Sequence, residues 1–198
     1  QGQAVALVMM RQDDAALPII EEVLASRPLL WRTWNARGLV FAGRGDFNQA
    51  EASYKRALAI NPAAASVENN LGYALMLQGR ADTALVHFGK ALALEPSLKA
   101  ARNNQRMALA WNGRYTEAIA GGESKELRDV LNDVGVIAMR RGDFRGAEAY
   151  FARAIETSPS YHAKAAKNLA DLRARQRAGN AGAPGTPARA GATITPVR

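Results

Sequence analysis

Apolar positions recur every three to four residues along most of this chain, in blocks broken by short polar stretches that hold glycine or proline, which is the pattern of amphipathic helices. The most legible stretch is Asn69 to Pro96, NNLGYALMLQGRADTALVHFGKALALEP. Leu71 and Leu75 fall on one face of a first helix, and Ala84, Phe88 and Ala91 on one face of a second. Gly79 marks the end of the first helix. Arg80-Ala81-Asp82 begins the second, with Asp82 near the positive end of its dipole. The stretch therefore predicts a helical hairpin. Gly72 and Ala84 are small enough for the two helices to approach closely, while Leu75 and Phe88 fill the space between them.

The hairpin is repeated. Pro28, Pro62 and Pro96 stand 34 residues apart, and Ala16, Ala50, Ala84 and Ala118 keep the same step. Leu-Gly, a large apolar residue, Ala-x3-Phe and a closing proline at this period resemble the tetratricopeptide repeat. That resemblance implies an all-α, right-handed superhelical solenoid of helix hairpins, in which each pair covers an apolar face of its neighbour. A first unit, residues 1–30, has Ile20 and Leu24 in place of the aromatic and its follower, and Pro18 near the start of its second helix, where a missing N–H is tolerated. The second unit, 31–64, shows Trp34, Gly38, Phe41, Gly45-Asp46-Phe47, Ala50, Tyr54, Ala57 and Pro62; the third is 65–98.

The fourth unit, 99–127, starts regularly and carries Gly113-Arg114-Tyr115 and Ala118, but has Gly121-Gly122 where an aromatic is due. Ala147 follows Ala118 by only 29 residues, so five are missing. The second helix of this unit is expected to stop near Ala120, with the next starting around Ser124 as N-cap, and the stack to bend or shear there. The fifth unit, 128–161, restores the pattern with Val134-Gly135, Ala138, Gly142-Asp143-Phe144, Ala147, Phe151, Ala154 and Pro159. A capping helix at 162–178 and a disordered Gly/Pro/Ala-rich tail at 179–198 complete the expected organisation.

Charge changes little in this picture. The net charge is +8, yet residues 164–198 carry seven basic residues against Asp171, which leaves the repeat body nearly neutral and argues against nucleic acid as its partner. No run of apolar residues is long enough to span a bilayer. The apolar run Ala4 to Met10 reads as helix rather than signal peptide, because no basic leader precedes it. There is no cysteine, and His87 and His162 lie far apart, so neither a metal cluster nor a Cys–His pair can be assembled from neighbouring residues. No phosphate-binding loop occurs. A non-enzyme with no cofactor and no metal is expected.

The run DVLNDVGVIAMRRGDFRGAEAYFARAIETSPSYHAKAAKNLADL, Asp129 to Leu172, narrows the resemblance. With its SPSY…AxxNLxxL ending after a shortened repeat, it is similar to the final repeat and cap of the TadD-type proteins of the tight-adherence (Flp) pilus system. That family consists of tetratricopeptide lipoproteins, and the resemblance implies a protein–protein scaffold for pilus assembly or secretion on the periplasmic side of the bacterial outer membrane. Membrane attachment would come only through an N-terminal anchor outside this sequence. The alternative is a cytoplasmic adaptor or chaperone that binds peptide segments of another partner.

The candidate site is the inner surface lined by the first helix of each pair. Asn35, Asn69, Asn103 and Asn132 occupy one place in four units, and Asn70, Asn104 and Asp133 the next place in three. Asparagine amides in register can bond an extended peptide backbone; the competing reading is that they fix the starts of their own helices. Tyr73, Met107, Trp111 and Val136 follow one or two turns later, and an aromatic and Met-lined groove suits an adaptable peptide site. Met76 and Met139 read better as core. Arg102 and Arg106 are expected to favour an acidic flank on the partner.

Overall fold

The computed structural model describes residues 13–120, 124–157 and 163–181. Among these there is no strand, and ten helices follow one another: α1 Asp13–Ser26, α2 Trp31–Gly43, α3 Phe47–Ile60, α4 Ala65–Leu77, α5 Ala81–Leu94, α6 Lys99–Trp111, α7 Tyr115–Ile119, α8 Ser124–Arg140, α9 Phe144–Glu156 and α10 Ala163–Ala181. The leading half of the first unit and the tail from 182 to 198 lie outside the described residues.

The turn inside each pair repeats because one backbone geometry repeats. Gly45, Gly79, Gly113 and Gly142 all have φ between 76° and 82°, the left-handed region where only glycine is at ease. At α4 the Gly79 N–H donates to Met76 O and the Arg80 N–H to Leu75 O, closing the helix with the two bonds of a Schellman motif. Where an aspartate follows the glycine, its carboxylate caps the second helix. Asp46 accepts from Gln49 N at 3.1 Å and Asp143 from Gly146 N at 2.9 Å.

Packing within a pair follows from one glycine and one ring. Tyr54, Phe88 and Phe151 are fully buried, and each lies directly on a glycine of the partner helix: Gly38, Gly72 and Gly135. A Cβ at Gly72 or Gly135 would stand 2.7 Å from the opposing ring, so any larger residue there excludes the aromatic. Burial of each ring contributes about 1.5–3 kcal/mol. Ala50, Ala84 and Ala147 are buried beside them, and the apolar clusters run from pair to pair, as a solenoid requires.

Three expectations are corrected. Pro18 is the sixth residue of α1 rather than a first-turn residue. Its exposed ring leaves the Asp14 carbonyl without its ladder donor, because α1 starts at Asp13 in the same register that puts Ala50 and Ala84 fourth in their helices. The five-residue deletion is not confined to the fourth unit's second helix. α7 has 5 residues against 14 in α3 and α5, while α8 has 17 against 13 in α4 and α6. Residues 124–127, assigned to the fourth unit, thus belong to the leading helix of the fifth, which begins at Ser124. The cap helix runs on to Ala181, so residues 179–181 of the expected tail are helical; its alanines favour helix, and the next proline in the sequence is Pro184.

Candidate functional site

The leading helices α2, α4, α6 and α8, followed by α10, pack side by side and form one continuous face. Asn35, Asn69 and Asn103 are each the fifth residue of their helix, a full turn past the first residues. The helix starts are Leu30, Ala64 and Leu98, none of which makes a side-chain capping bond. The reading that these asparagines fix helix starts is therefore wrong, because their amides are too far along the helix to reach its free N–H groups.

The amides instead clasp one pair to the next. Asn70 Nδ2 donates to Asn35 Oδ1 at 3.0 Å, Asn104 Nδ2 to Asn69 Oδ1 at 2.9 Å, and Asn168 Nδ2 to Asn132 Oδ1 at 2.9 Å. Within units, Asn69 Nδ2 reaches Asn70 Oδ1 at 3.4 Å and Asn132 Nδ2 reaches Asp133 Oδ1 at 3.3 Å. In each rung the oxygen of the earlier residue accepts from the amide of a later helix. Asn69 and Asn132 are only 8% and 7% exposed, so the ladder is part of the packing. The step between α6 and α8 is different: Asp133 stands where Asn70 and Asn104 stand, and an ionised carboxylate has no proton to donate to the Asn103 oxygen. Asn103 is exposed.

The other candidates divide. Tyr73 and Met107 are half-buried at the edge of the central core, beside Met76 and Leu75. Trp111 is half-buried between that core and the cluster formed by Ala110, Ala118, Val134 and Ile137, so its indole bridges the third and fifth units. Arg141 Nη1, after α8, donates to the Trp111 carbonyl and ties the fifth unit to the fourth at the end of α6. Val136 packs toward Phe151 and the cap. Arg102 Nη2 is engaged with the Pro96 carbonyl at 2.7 Å. His87 pairs through Nδ1 with Glu68 Oε2 at 2.6 Å inside the third unit, and His162 lies outside the described residues.

At the α6/α8 step a cleft of about 360 Å³ opens. Met107, Ala110, Val130, Val134 and Ile137 form its apolar walls, and Asn103, Arg106, Asp129 and Asp133 supply its polar groups. In the repeat count the cleft coincides with an exchange of residue types. Gly38, Gly72 and Gly135 have Arg106 as their counterpart in the fourth unit, while Tyr54, Phe88 and Phe151 have Gly122. A ring is thus replaced by glycine, and a glycine by an arginine that is only 8% exposed. The count of 34 that exposes the period also places Arg106 opposite the glycines Gly38 and Gly72. Its expected acidic flank is corrected: Arg106 is buried and shares its cleft with two aspartates of the same chain. Among the described residues no group of three His, Cys, Asp or Glu could hold a metal, and no helix is long and apolar enough to cross a membrane.

This geometry is that of a tetratricopeptide solenoid. A family model described as "TPR repeat" matches residues 38–79, and one described as "Tetratricopeptide repeat" matches residues 135–184. No curated protein sequence matches the chain. Among solved structures, PilW, titled a widely conserved type IV pilus biogenesis factor, is 20% identical with a TM-score of 0.62, over 91% of each chain. YrrB, titled a TPR protein with an unusual peptide-binding site, is 20% identical with a TM-score of 0.63, over 87% of this chain and 88% of its own. A thermophilic TPR protein of Thermus thermophilus is 19% identical with a TM-score of 0.58, over 90% of this chain and 96% of its own. The chain is similar to these three in fold. It carries tetratricopeptide repeats, which indicate a scaffold for protein–protein contact.

Proposed function

We propose that this chain is a non-enzymatic scaffold that holds a segment of another protein against its leading-helix face, in the assembly or secretion of a tight-adherence pilus on the periplasmic side of the bacterial outer membrane. The observation that carries the binding role is the half-buried pair Tyr73 and Met107, which edges that face next to the open α6/α8 cleft. The polar ladder beside them is already satisfied internally, so a ligand gains apolar contact there without breaking the amide bonds. The pilus assignment rests on the resemblance of Asp129 to Leu172 to the TadD-type proteins; PilW offers a pilus factor of the same fold at low identity. Asn69 and Asn132 enter this reading as framework, while Asn103, exposed at the cleft, is the asparagine placed to meet a ligand.

The test is affinity purification of the chain from its native cells, with the bound proteins identified by mass spectrometry and the cells fractionated. Recovery of a pilus or secretion component in the outer-membrane fraction, reduced at least about tenfold by Tyr73→Ala with Met107→Ala, supports the proposal. A partner retained by that double variant removes the groove from the mechanism. A chain found wholly in the cytosol removes the envelope role.

A further inference from the structure

The edge of the solenoid where the α8/α9 turn meets the end of α10 combines unpaired charge with an exposed ring. α9 and α10 run antiparallel: Ala154 shares a cluster with Ala165, Phe151 packs with Leu169 and Leu172, and Arg173 bonds Glu148 at 2.9 Å. One turn beyond that ion pair, on the same face of each helix, stand Arg177 and Phe144. The turn adds Arg140 and Arg145, and Arg175 lies on the other side of α10. Arg140, Arg145, Arg175 and Arg177 are all exposed, and none of the four makes an ion pair or hydrogen bond among the described residues. The two carboxylates at this edge are already engaged, Asp143 with the Gly146 N–H and Glu148 with Arg173. The edge is therefore strongly positive.

Phe144 opens α9 as Phe47 opens α3. Phe47 is half-buried against the central core, and Gln78 of the next leading helix donates to its carbonyl. Phe144 is 49% exposed, although Ala81 fills the same place in the third unit and shows that the fold does not need a ring there.

We infer that this edge docks on an anionic lipid bilayer, with the arginines at the phosphate headgroups and Phe144 in the interface. Charge complementarity carries the inference, and basic side chains set around an exposed aromatic are the pattern of peripheral membrane contacts. Arg175 and Arg177 leave α10 about 200° apart, so a peptide lying along the helix meets one of them, whereas a flat surface across the helix end is within reach of both long side chains. A single-stranded nucleic acid would use successive stacking rings, and α10 has none. The contact is separate from the leading-helix face and from any N-terminal anchor.

The experiment is co-sedimentation of the whole chain with vesicles of phosphatidylglycerol and phosphatidylcholine in equal parts, and with vesicles of phosphatidylcholine alone, at low and raised salt. The inference expects binding to the anionic vesicles only, weakened by salt. Arg175→Gln with Arg177→Gln should weaken it about tenfold or more. Phe144→Ala should lose a further severalfold, most visibly at raised salt, where screening leaves the apolar contact as the larger share. Tyr73→Ala with Met107→Ala, on the leading-helix face, should leave vesicle binding unchanged. Thermal unfolding of each variant checks that it is folded. Equal binding to neutral vesicles, or anionic binding untouched by the double arginine variant, overturns the inference and leaves the scaffold reading intact. Loss caused by Arg189→Gln with Arg198→Gln alone assigns the binding to residues 182–198 and overturns the edge. A single-stranded RNA oligonucleotide or polyglutamate that displaces the chain from vesicles at lower concentration than phosphatidylglycerol, through the same arginines, overturns the lipid as partner.

Discussion

Replacing Gly72 by alanine adds a single carbon to the core, and its cost is set almost entirely by one neighbour. The new Cβ would stand 2.7 Å from Phe88 Cε1 and 2.9 Å from Cδ1, well inside contact distance, and Phe88 is fully enclosed and has nowhere to move. Overpacking of this kind costs typically about 1–3 kcal/mol. Alanine in place of glycine inside a helix returns about 1 kcal/mol. Gly72→Ala should therefore destabilise by about 1 kcal/mol in the natural background. Phe88→Ala alone should cost about 3–5 kcal/mol, because it removes the ring and leaves a cavity. In that second background the obstacle is gone, so Gly72→Ala should stabilise by about 1 kcal/mol, giving a coupling of about 2 kcal/mol between the two sites. Urea unfolding of the four proteins, followed by circular dichroism with the slope m compared across the set, measures this directly. Equal destabilisation by Gly72→Ala in both backgrounds would refute the account of the glycine as the seat of the ring.

Asn70→Ala leaves the half-buried Asn35 oxygen without its donor and should cost about 1 kcal/mol, whereas Asn103→Ala, at the step without an amide rung, should stay within about 0.5 kcal/mol; paired denaturant melts decide it. Glu51 sits against Lys55 and Arg80 and accepts from Gln78. Burial pushes its carboxyl pKa up, but the Lys55 and Gln78 hydrogen bonds and the two cations outweigh this and hold it below the ordinary 4.5. A carboxylate with a depressed folded pKa stabilises fully above the unfolded value and loses that contribution as pH falls through the folded one. Glu51→Gln should accordingly lower stability at neutral pH and flatten the loss of stability below about pH 4.5, as read from melting temperatures across the acid range.

The fold was legible because its evidence is periodic. Prolines, alanines and glycines at a common step say where helices begin, end and touch, and each unit repeats the message; Gly79 and Phe88 need no tertiary information to be placed. The asparagines were visible as a column, but their partners were not. A rung joins Asn70 to Asn35 or Asn104 to Asn69, and which amide faces which depends on how far each pair is rotated against the next. The deletion was equally visible as a count, yet a count does not say that α8 would gain at its N-terminus part of what α7 lost. Arg106 was hidden by its type, since an arginine on a helix reads as surface until its place in the repeat is compared with Gly38, Gly72 and Gly135.

The missing rung at Asp133 has a consequence for how the chain yields. In a linear array each unit is held only by its neighbours, so opening begins at the weakest junction and not at random. The amide clasps join α2, α4 and α6 into one run and α8 and α10 into another, and the step between them has no amide rung and a trailing helix of only five residues, so it is held by the apolar packing of Ala110, Val134 and Ile137, the Trp111 indole and the Arg141 bond. Pulled from its ends, or warmed gradually, the molecule should part there into two blocks, each still helical. A ligand seated across that junction would act as a splint, turning two cooperative blocks into one.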